Sequence, residues 1–335
     1  MLLFIPHYWI WSLFAVLILS FLAFDMGITN RTPHTITFRS AVNQSLFWVV
    51  VSLLFCVVLY FFYDPTGNLT NTDAAISFLT AYLIEKALSI DNIFVIMLIL
   101  RTFKVEEEYH HKVLFWGVLG AVVMRLIFIL LGKFIVSQGE FVLWIFGAIL
   151  LYTGFKMLIS HGKEEEGHDP EKNFILKFAR RYLRITNEAH NGRFTLLKDG
   201  KRYFTKLFLV ILLIESTDLI FAIDSIPAAF SVSTDIIVLY TSNIFAVMGL
   251  RAMFFLLSSV LHKFYLLSYG LSLVLLFIGG KMLYTPFIEV LQHFSFVNND
   301  INTHVSPIFS LVITLSFLTG SVVLSIFFPQ KKTLP

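Results

Sequence analysis

The sequence predicts an all-α polytopic membrane protein of about nine transmembrane helices, arranged as two inverted three-helix repeats plus accessory helices. Three observations carry that expectation. The 335 residues are 57% hydrophobic and 14% charged, with mean hydropathy +0.79, whereas a soluble chain carries about 25% charged residues. Apolar runs of about 20 residues recur along the chain. The basic residues gather on one side of those runs.

Hydropathy places the spans at 7–27, 45–63, 75–100, 113–137, 141–160, 206–230, 237–262, 266–284 and 306–329. The first is read as a retained span, because it lacks a basic leading region and a small-residue cleavage site. Of the 25 Lys and Arg, 19 fall in one alternate set of connections and the C-terminal tail, and six within spans. The opposite connections hold none. The positive-inside rule therefore predicts the N-terminus outside and the C-terminus in the cytoplasm. Lys133, Lys156 and Lys281 lie near span ends, where their amines can snorkel to the interface.

The long polar segment, 161–205, is then cytoplasmic. Within it "KNFILKFARRYLRI" spaces Phe174, Phe178, Tyr182 and Ile185 along one face of a basic amphipathic helix. Asp199-Gly200 between strand-like arms signals a hairpin. Docking to anionic lipid and a plain solvated linker both stay open for this insert.

Two halves of the chain resemble each other. "LIEKALSIDN" (Leu83–Asn92) echoes "LIESTDLIFAIDS" (Leu213–Ser225). "VLGAVVMRLIFILL" (Val118–Leu131) echoes "NIFAVMGLRAMFFLL" (Asn243–Leu257), each with one arginine. "LLYTGFKML" (Leu150–Leu158) echoes "LLFIGGKML" (Leu275–Leu283). Three spans per copy make the second copy enter the membrane from the opposite side, an arrangement typical of secondary transporters. The resulting units are 1–74 (accessory spans), 75–160 (first repeat), 161–205 (basic insert), 206–284 (second repeat) and 285–335 (outer loop, last span and tail).

Five acids lie deep in these spans: Glu85, Asp91, Glu215, Asp218 and Asp224. One mid-span carboxylate costs about 3 kcal/mol on insertion scales, so five would cost on the order of 15 kcal/mol if unpaired. The deep cations are Lys86, Arg125 and Arg251, which can balance three acids or act as gates. Two acids are left over, matching one divalent cation or two protons. Purely structural ion pairing is the competing account. Glu215 and Asp218 share a helix face, and Asp224 falls opposite. A helix break at Pro227, which lacks a backbone donor, is expected to turn Asp224 inward. Ser89, Asn92 and Ser225 supply neutral oxygens. An all-oxygen set suits Mg, Ca or Mn and not soft metals. The single Cys56 excludes a disulfide framework and a Cys-rich metal site, and none of the ten histidines falls mid-span.

"EKALSIDN", "DLIFAIDSIPA" and "SNIFAVMGLRAMFFLL" resemble the TerC/Alx family of bacterial membrane proteins. The similarity runs from the first span to about Thr285, and the basic insert resembles the Alx branch. The family's motif positions match at Glu85, Asp91, Asn92, Glu215, Asp218, Asp224 and Ser225. "IESTD" departs from a Val-Glu-Leu-Ser-Asp-like run in some relatives, with the acids kept. The resemblance implies a multi-span inner-membrane protein. It also implies manganese export, tellurium-resistance phenotypes and, for the Alx branch, an alkaline response.

The expectation is a secondary transporter exporting a divalent cation, Mn2+ first, by alternating access, with protons as the option for coupling. The alternative is a non-transporting scaffold or assembly factor linked to metal or tellurium stress. An enzyme is not expected, since the Gly-flanked contexts of an intramembrane aspartyl hydrolase are missing. The expected partners are the bilayer and the metal ion, with no nucleic acid and no resident cofactor.

Overall fold

A computed structural model of the chain describes residues 8–24, 38–63, 70–139, 141–160, 183–186, 192–198, 200–258, 266–293 and 306–327. Among these residues the helices are α1 (Tyr8–Phe24), α2 (Phe38–Phe62), α3 (Asn71–Thr102), α4 (Glu107–Val136), α5 (Phe141–Ser160), α6 (Lys206–Phe230), α7 (Ile236–Met248), α8 (Leu250–Ser258), α9 (Leu267–His293) and α10 (Pro307–Phe327). A hairpin of β1 (Thr195–Lys198) and β2 (Lys201–Phe204) precedes α6.

Six helical stretches among the described residues are long and apolar enough to cross a membrane: those of α2, α4, α5, the α7–α8 pair, α9 and α10. The α1 helix is equally apolar but has only 17 residues. The two remaining long helices, α3 and α6, carry the deep acids, and their charge sets them apart from the six. Large apolar side chains face outward on several helices, such as Phe61 on α2, Tyr152 on α5 and Phe327 on α10. Apolar patches this extensive are not carried by soluble monomers and fit a lipid surround. The protein is thus a polytopic all-α membrane protein.

Local sequence explains several element ends. Thr70 caps α3: its Oγ1 accepts from the Asp73 backbone N–H at 3.1 Å, and the Asp73 carboxylate accepts from the Thr70 N–H at 3.1 Å. This reciprocal pair satisfies two orphan donors of the first turn. Asp235 caps α7, accepting from the Ile237 N–H at 2.8 Å, and Tyr63 at the end of α2 donates its hydroxyl to the same carboxylate at 2.5 Å.

Pro227 does not break its helix. The α6 helix continues through it to Phe230, and the Ser231 N–H closes the last turn on the Pro227 carbonyl at 3.0 Å. The expected break is therefore absent. Proline removes one donor, and three residues from the helix end that loss touches only a single carbonyl. The interruption falls instead at Gly249, between α7 and α8. There Lys86 donates to the Ala246 carbonyl at 3.3 Å, and its amine fills the space a Cβ on Gly249 would take. Lys281 reaches toward the end of α6, donating to the Ser231 carbonyl at 3.5 Å. It also donates to Ser310 Oγ on α10 at 3.0 Å.

The helices pack in a connected bundle. The α5 and α9 helices cross closely, with α3 against α6, α7 and α10, and α4 against α6 and α7. Small residues permit the α5–α9 approach: a Cβ at Gly147 would meet the Gly279 carbonyl at 3.2 Å, and one at Gly154 the Ser272 carbonyl at 3.0 Å. Such close backbones are how helices associate where lipid removes the hydrophobic drive. Phe14, Phe55, Phe78 and Phe245 interlock with ring centroids 5.0–6.0 Å apart and tie α1 and α2 to α3 and α7.

The expected hairpin is present. Its strands are antiparallel with Lys198 opposite Lys201, and Gly200 takes φ +70°, the left-handed conformation that a tight hairpin turn requires. The amphipathic helix expected over 172–185 lies outside the described residues except at its end. That end is extended rather than helical. Ile185 bridges to Phe204, and the Phe204 N–H donates to the Arg184 carbonyl at 2.7 Å. The open edge of β2 outbids helical periodicity by offering backbone partners.

Candidate functional site

Glu85, Arg125 and Asp218, from α3, α4 and α6, meet inside the bundle. Arg125, its side chain 6% exposed, is the centre. Its guanidinium forms an ion pair with Glu85 on α3, a residue 2% exposed. It donates through Nη1 to Asn243 Oδ1 on α7 at 2.7 Å. Its Nη2 stands 3.6 Å from Asp218 Oδ1 on α6. Asn92, on α3, offers its amide to the same Asp218 oxygen at 3.5 Å. One planar, permanently charged fork therefore joins four helices, a task to which arginine is suited and lysine is not.

Beside this cluster lies a cavity of about 30 Å³, lined by Asn92, Gly117, Val118, Glu215, Asp218 and Phe221 among others. A single water needs roughly 10–15 Å³, so the space admits a water or a small partly dehydrated ion. Glu215 Oε1 is buried and has no hydrogen-bond partner among the described residues. Leaving a buried polar atom unsatisfied costs about 1–3 kcal/mol, and more for a charged group. The carboxylate has room because its neighbour across α4 is Gly120. A Cβ there would collide with the Glu215 carboxylate.

Glu85 and Asp218 face the guanidinium of Arg125, and Glu215 lines the cavity beside Asp218, so this region holds three carboxylates to one guanidinium among the described residues. With all ionised, two negative charges stay uncompensated. The arrangement offers hard oxygen donors from Glu215, Asp218 and Asn92 and can take up a cation or protons.

The other residues singled out in the sequence lie elsewhere. Asp224 does not line the cavity. It stands nine residues beyond Glu215, roughly 13 Å along α6, and accepts from Thr153 Oγ1 on α5 at 2.9 Å. Ser89 and Ser225 are buried on α3 and α6. Asp91 stands on α3 beside Asn92, and its side chain lies outside the described part. Lys86 turns away from the cluster to the α7–α8 junction, its amine 5.8 Å from the Tyr82 ring centroid. Arg251 is half-buried on α8. Among the described residues no three Asp, Glu, His or Cys side chains converge as a metal cage. Asn243, Gly120 and Thr153 take part in these contacts without having been singled out. Asn243 carried a signal, a polar amide inside an apolar span, whereas Gly120 and Thr153 had none beyond their repeats.

The integral membrane protein TerC family model matches residues 70–333. The chain belongs to the TerC family. The match opens at Thr70, the cap of α3, so α1 and α2 stand outside it. An Escherichia coli (strain K12) protein named "Putative membrane-bound redox modulator Alx" is 43% identical over 283 residues, 84% of this chain and 87% of that protein. Its namesake from Photorhabdus laumondii is 42% identical over 283 residues, 84% of this chain and 88% of that protein. A Myxococcus xanthus membrane protein, STKORF319, is 37% identical over 281 residues, 84% of this chain and 85% of that protein. No solved structure matches the chain at a significant level. This TerC-family chain is a multi-pass integral membrane protein, with its buried charges inside the matched region.

Proposed function

We propose that this protein is a secondary transporter that exports a divalent metal cation, Mn2+ first, across the bacterial inner membrane, and not an enzyme. The observation that carries the reading is the buried, unpartnered Glu215 oxygen at a small cavity shared with Asp218 and Asn92. A carboxylate held this way inside lipid is expensive, and a passing cation or proton repays it. The oxygen donors suit a hard ion such as Mn2+. With two carboxylates and an amide at the cavity, the ion keeps part of its water as it passes.

Arg125 supplies the counter-charge when no ion is present, since its Nη2 stands near Asp218 while Glu85 holds its Nη1. A cation entering beside Glu215 competes with that guanidinium for Asp218. Protons moving the other way would neutralise the same carboxylates after release. Asp224, on the opposite face of α6 and bonded to Thr153 of α5, stands apart from this cavity.

Alternating access rests on nine crossings, with the N-terminus outside, and on inverted repeats. Two features support the repeat. The pairing of α3 with α7 has its counterpart in α6 with α4 once the two copies are exchanged. The Gly147–Gly279 approach becomes the Ser272–Gly154 approach under the same exchange, and both contacts are present.

The name borne by the Alx relatives points to redox modulation. This chain has one cysteine, Cys56, half-buried and donating to the Ala75 carbonyl at 3.4 Å, so one copy holds no dithiol pair.

The test is cellular manganese content under manganese load. Cells expressing the wild-type chain should hold less manganese than cells without it. Glu215→Gln, expressed at equal level, should abolish the difference. Export by Glu215→Gln equal to wild type ends the proposal.

A further inference from the structure

The hairpin at the base of α6 carries a second surface, independent of the cavity. Between Leu183 and Lys206 the sequence has six basic residues, Arg184, Arg193, Lys198, Lys201, Arg202 and Lys206, against Glu188 and Asp199. The register sets Lys198 directly opposite Lys201 and Leu197 opposite Arg202. Like charges placed across a ladder are destabilising, so the pairing is not there for the hairpin's own stability. Leu197 is 75% exposed, an apolar side chain standing next to Arg202 with no packing to explain it.

The hairpin is also held at a fixed level. Lys112, near the start of α4, donates to the Gly192 carbonyl at 2.5 Å, and its amine lies 4.8 Å from the Phe194 ring centroid. Trp116, on the next turn of α4, meets Phe194 edge-on at 6.1 Å and is 41% exposed. Tryptophans at that depth of a spanning helix mark the headgroup boundary. Thr205, fully buried, ties the strand end down by donating to the Arg193 carbonyl at 2.8 Å. Phe204 packs on Phe208 of α6 at 4.5 Å. Four strand residues reach about 13 Å at most, so a hairpin lying along the surface can bring its tip to the headgroups.

We propose that the hairpin tip, which carries Lys198 and Lys201 on one face and Leu197 and Arg202 on the other, docks on anionic phospholipid headgroups of the membrane that α4 crosses. The tip lysines and Arg202 meet phosphates, and the exposed Leu197 on the Arg202 face meets the apolar side of the boundary, the combination by which interfacial segments bind anionic lipid. The acidic headgroup is favoured over a protein partner because the base of the hairpin is fixed at headgroup level.

The test uses the full chain in lipid nanodiscs, with Cys56→Ser and Thr195→Cys to place one environment-sensitive fluorophore on the exposed face. In discs of phosphatidylcholine mixed with phosphatidylglycerol, nitroxide-labelled lipid should quench the fluorophore more strongly than in phosphatidylcholine alone. In phosphatidylcholine alone, in high salt, or with Lys201→Gln and Arg202→Gln, quenching should fall. Equal quenching in both lipids and in the charge variant overturns the proposal. Should the cysteine variants not fold, native mass spectrometry of the wild type decides. Bound phosphatidylglycerol should outweigh phosphatidylcholine, and each charge removed should lower that preference on the order of fivefold. No preference, or one unchanged in the variant, overturns the docking.

Discussion

Removing the Arg125 guanidinium leaves the Glu85 carboxylate buried without its counter-charge. Breaking a buried pair from one side costs about 3–5 kcal/mol. Arg125→Met should therefore lower the thermal unfolding midpoint sharply in detergent, and adding Glu85→Gln should restore part of it. Glu215 differs, because it faces space rather than a cation. Gly120→Ala should push its carboxylate aside and cost roughly 1–3 kcal/mol by overpacking. In a Glu215→Ala background the same substitution should cost almost nothing, a difference that a double-mutant cycle of unfolding midpoints reads directly. At this scale the sequence displayed the charges and hid their partners. Glu85, Asp218 and Arg125 stand out in apolar runs because charge there is costly. That Arg125 serves Glu85, Asp218 and Asn243 together could not be read, since the contact with Asn243 joins positions 118 residues apart. The space beside Glu215 depends on a missing Cβ across a helix interface, which leaves no mark in local pattern.

Element boundaries were legible where local chemistry sets them. Thr70 and Asp73 form the capping pair that starts α3, and Asp199-Gly200 marks the hairpin turn. They were not legible where tertiary contacts decide. Pro227 lies too near the end of α6 to interrupt it, whereas the Gly249 junction is stabilised by Lys86 reaching across from α3. The α5–α9 crossing belongs to the same class. Gly154 sits against backbone and Leu276, so Gly154→Val should separate the helices and cost on the order of 1–3 kcal/mol. Intrinsic-fluorescence melting should show that loss. Gly200→Ala should spare the membrane bundle, because none of the described residues packs on Gly200 and only the hairpin turn is strained.

For the molecule as a whole, composition and the distribution of lysine and arginine sufficed for the membrane class. The outward apolar faces and the family match agree with it. The assembly of one net-negative cluster from α3, α4 and α6 needed the structure, because it depends on which faces meet. Of the deep acids, Asp224 lies apart on Thr153, so the acids do not gather in one cage among the described residues. The most direct measurement is Mn2+ flux in proteoliposomes containing the purified chain and a manganese-sensitive dye. The account predicts saturable dye quenching with the wild type and a loss of at least about tenfold with Glu215→Gln, a difference of about 1.4 kcal/mol or more. Wild-type vesicles no more permeable to Mn2+ than empty ones, or a Glu215→Gln rate equal to the wild type, would contradict it.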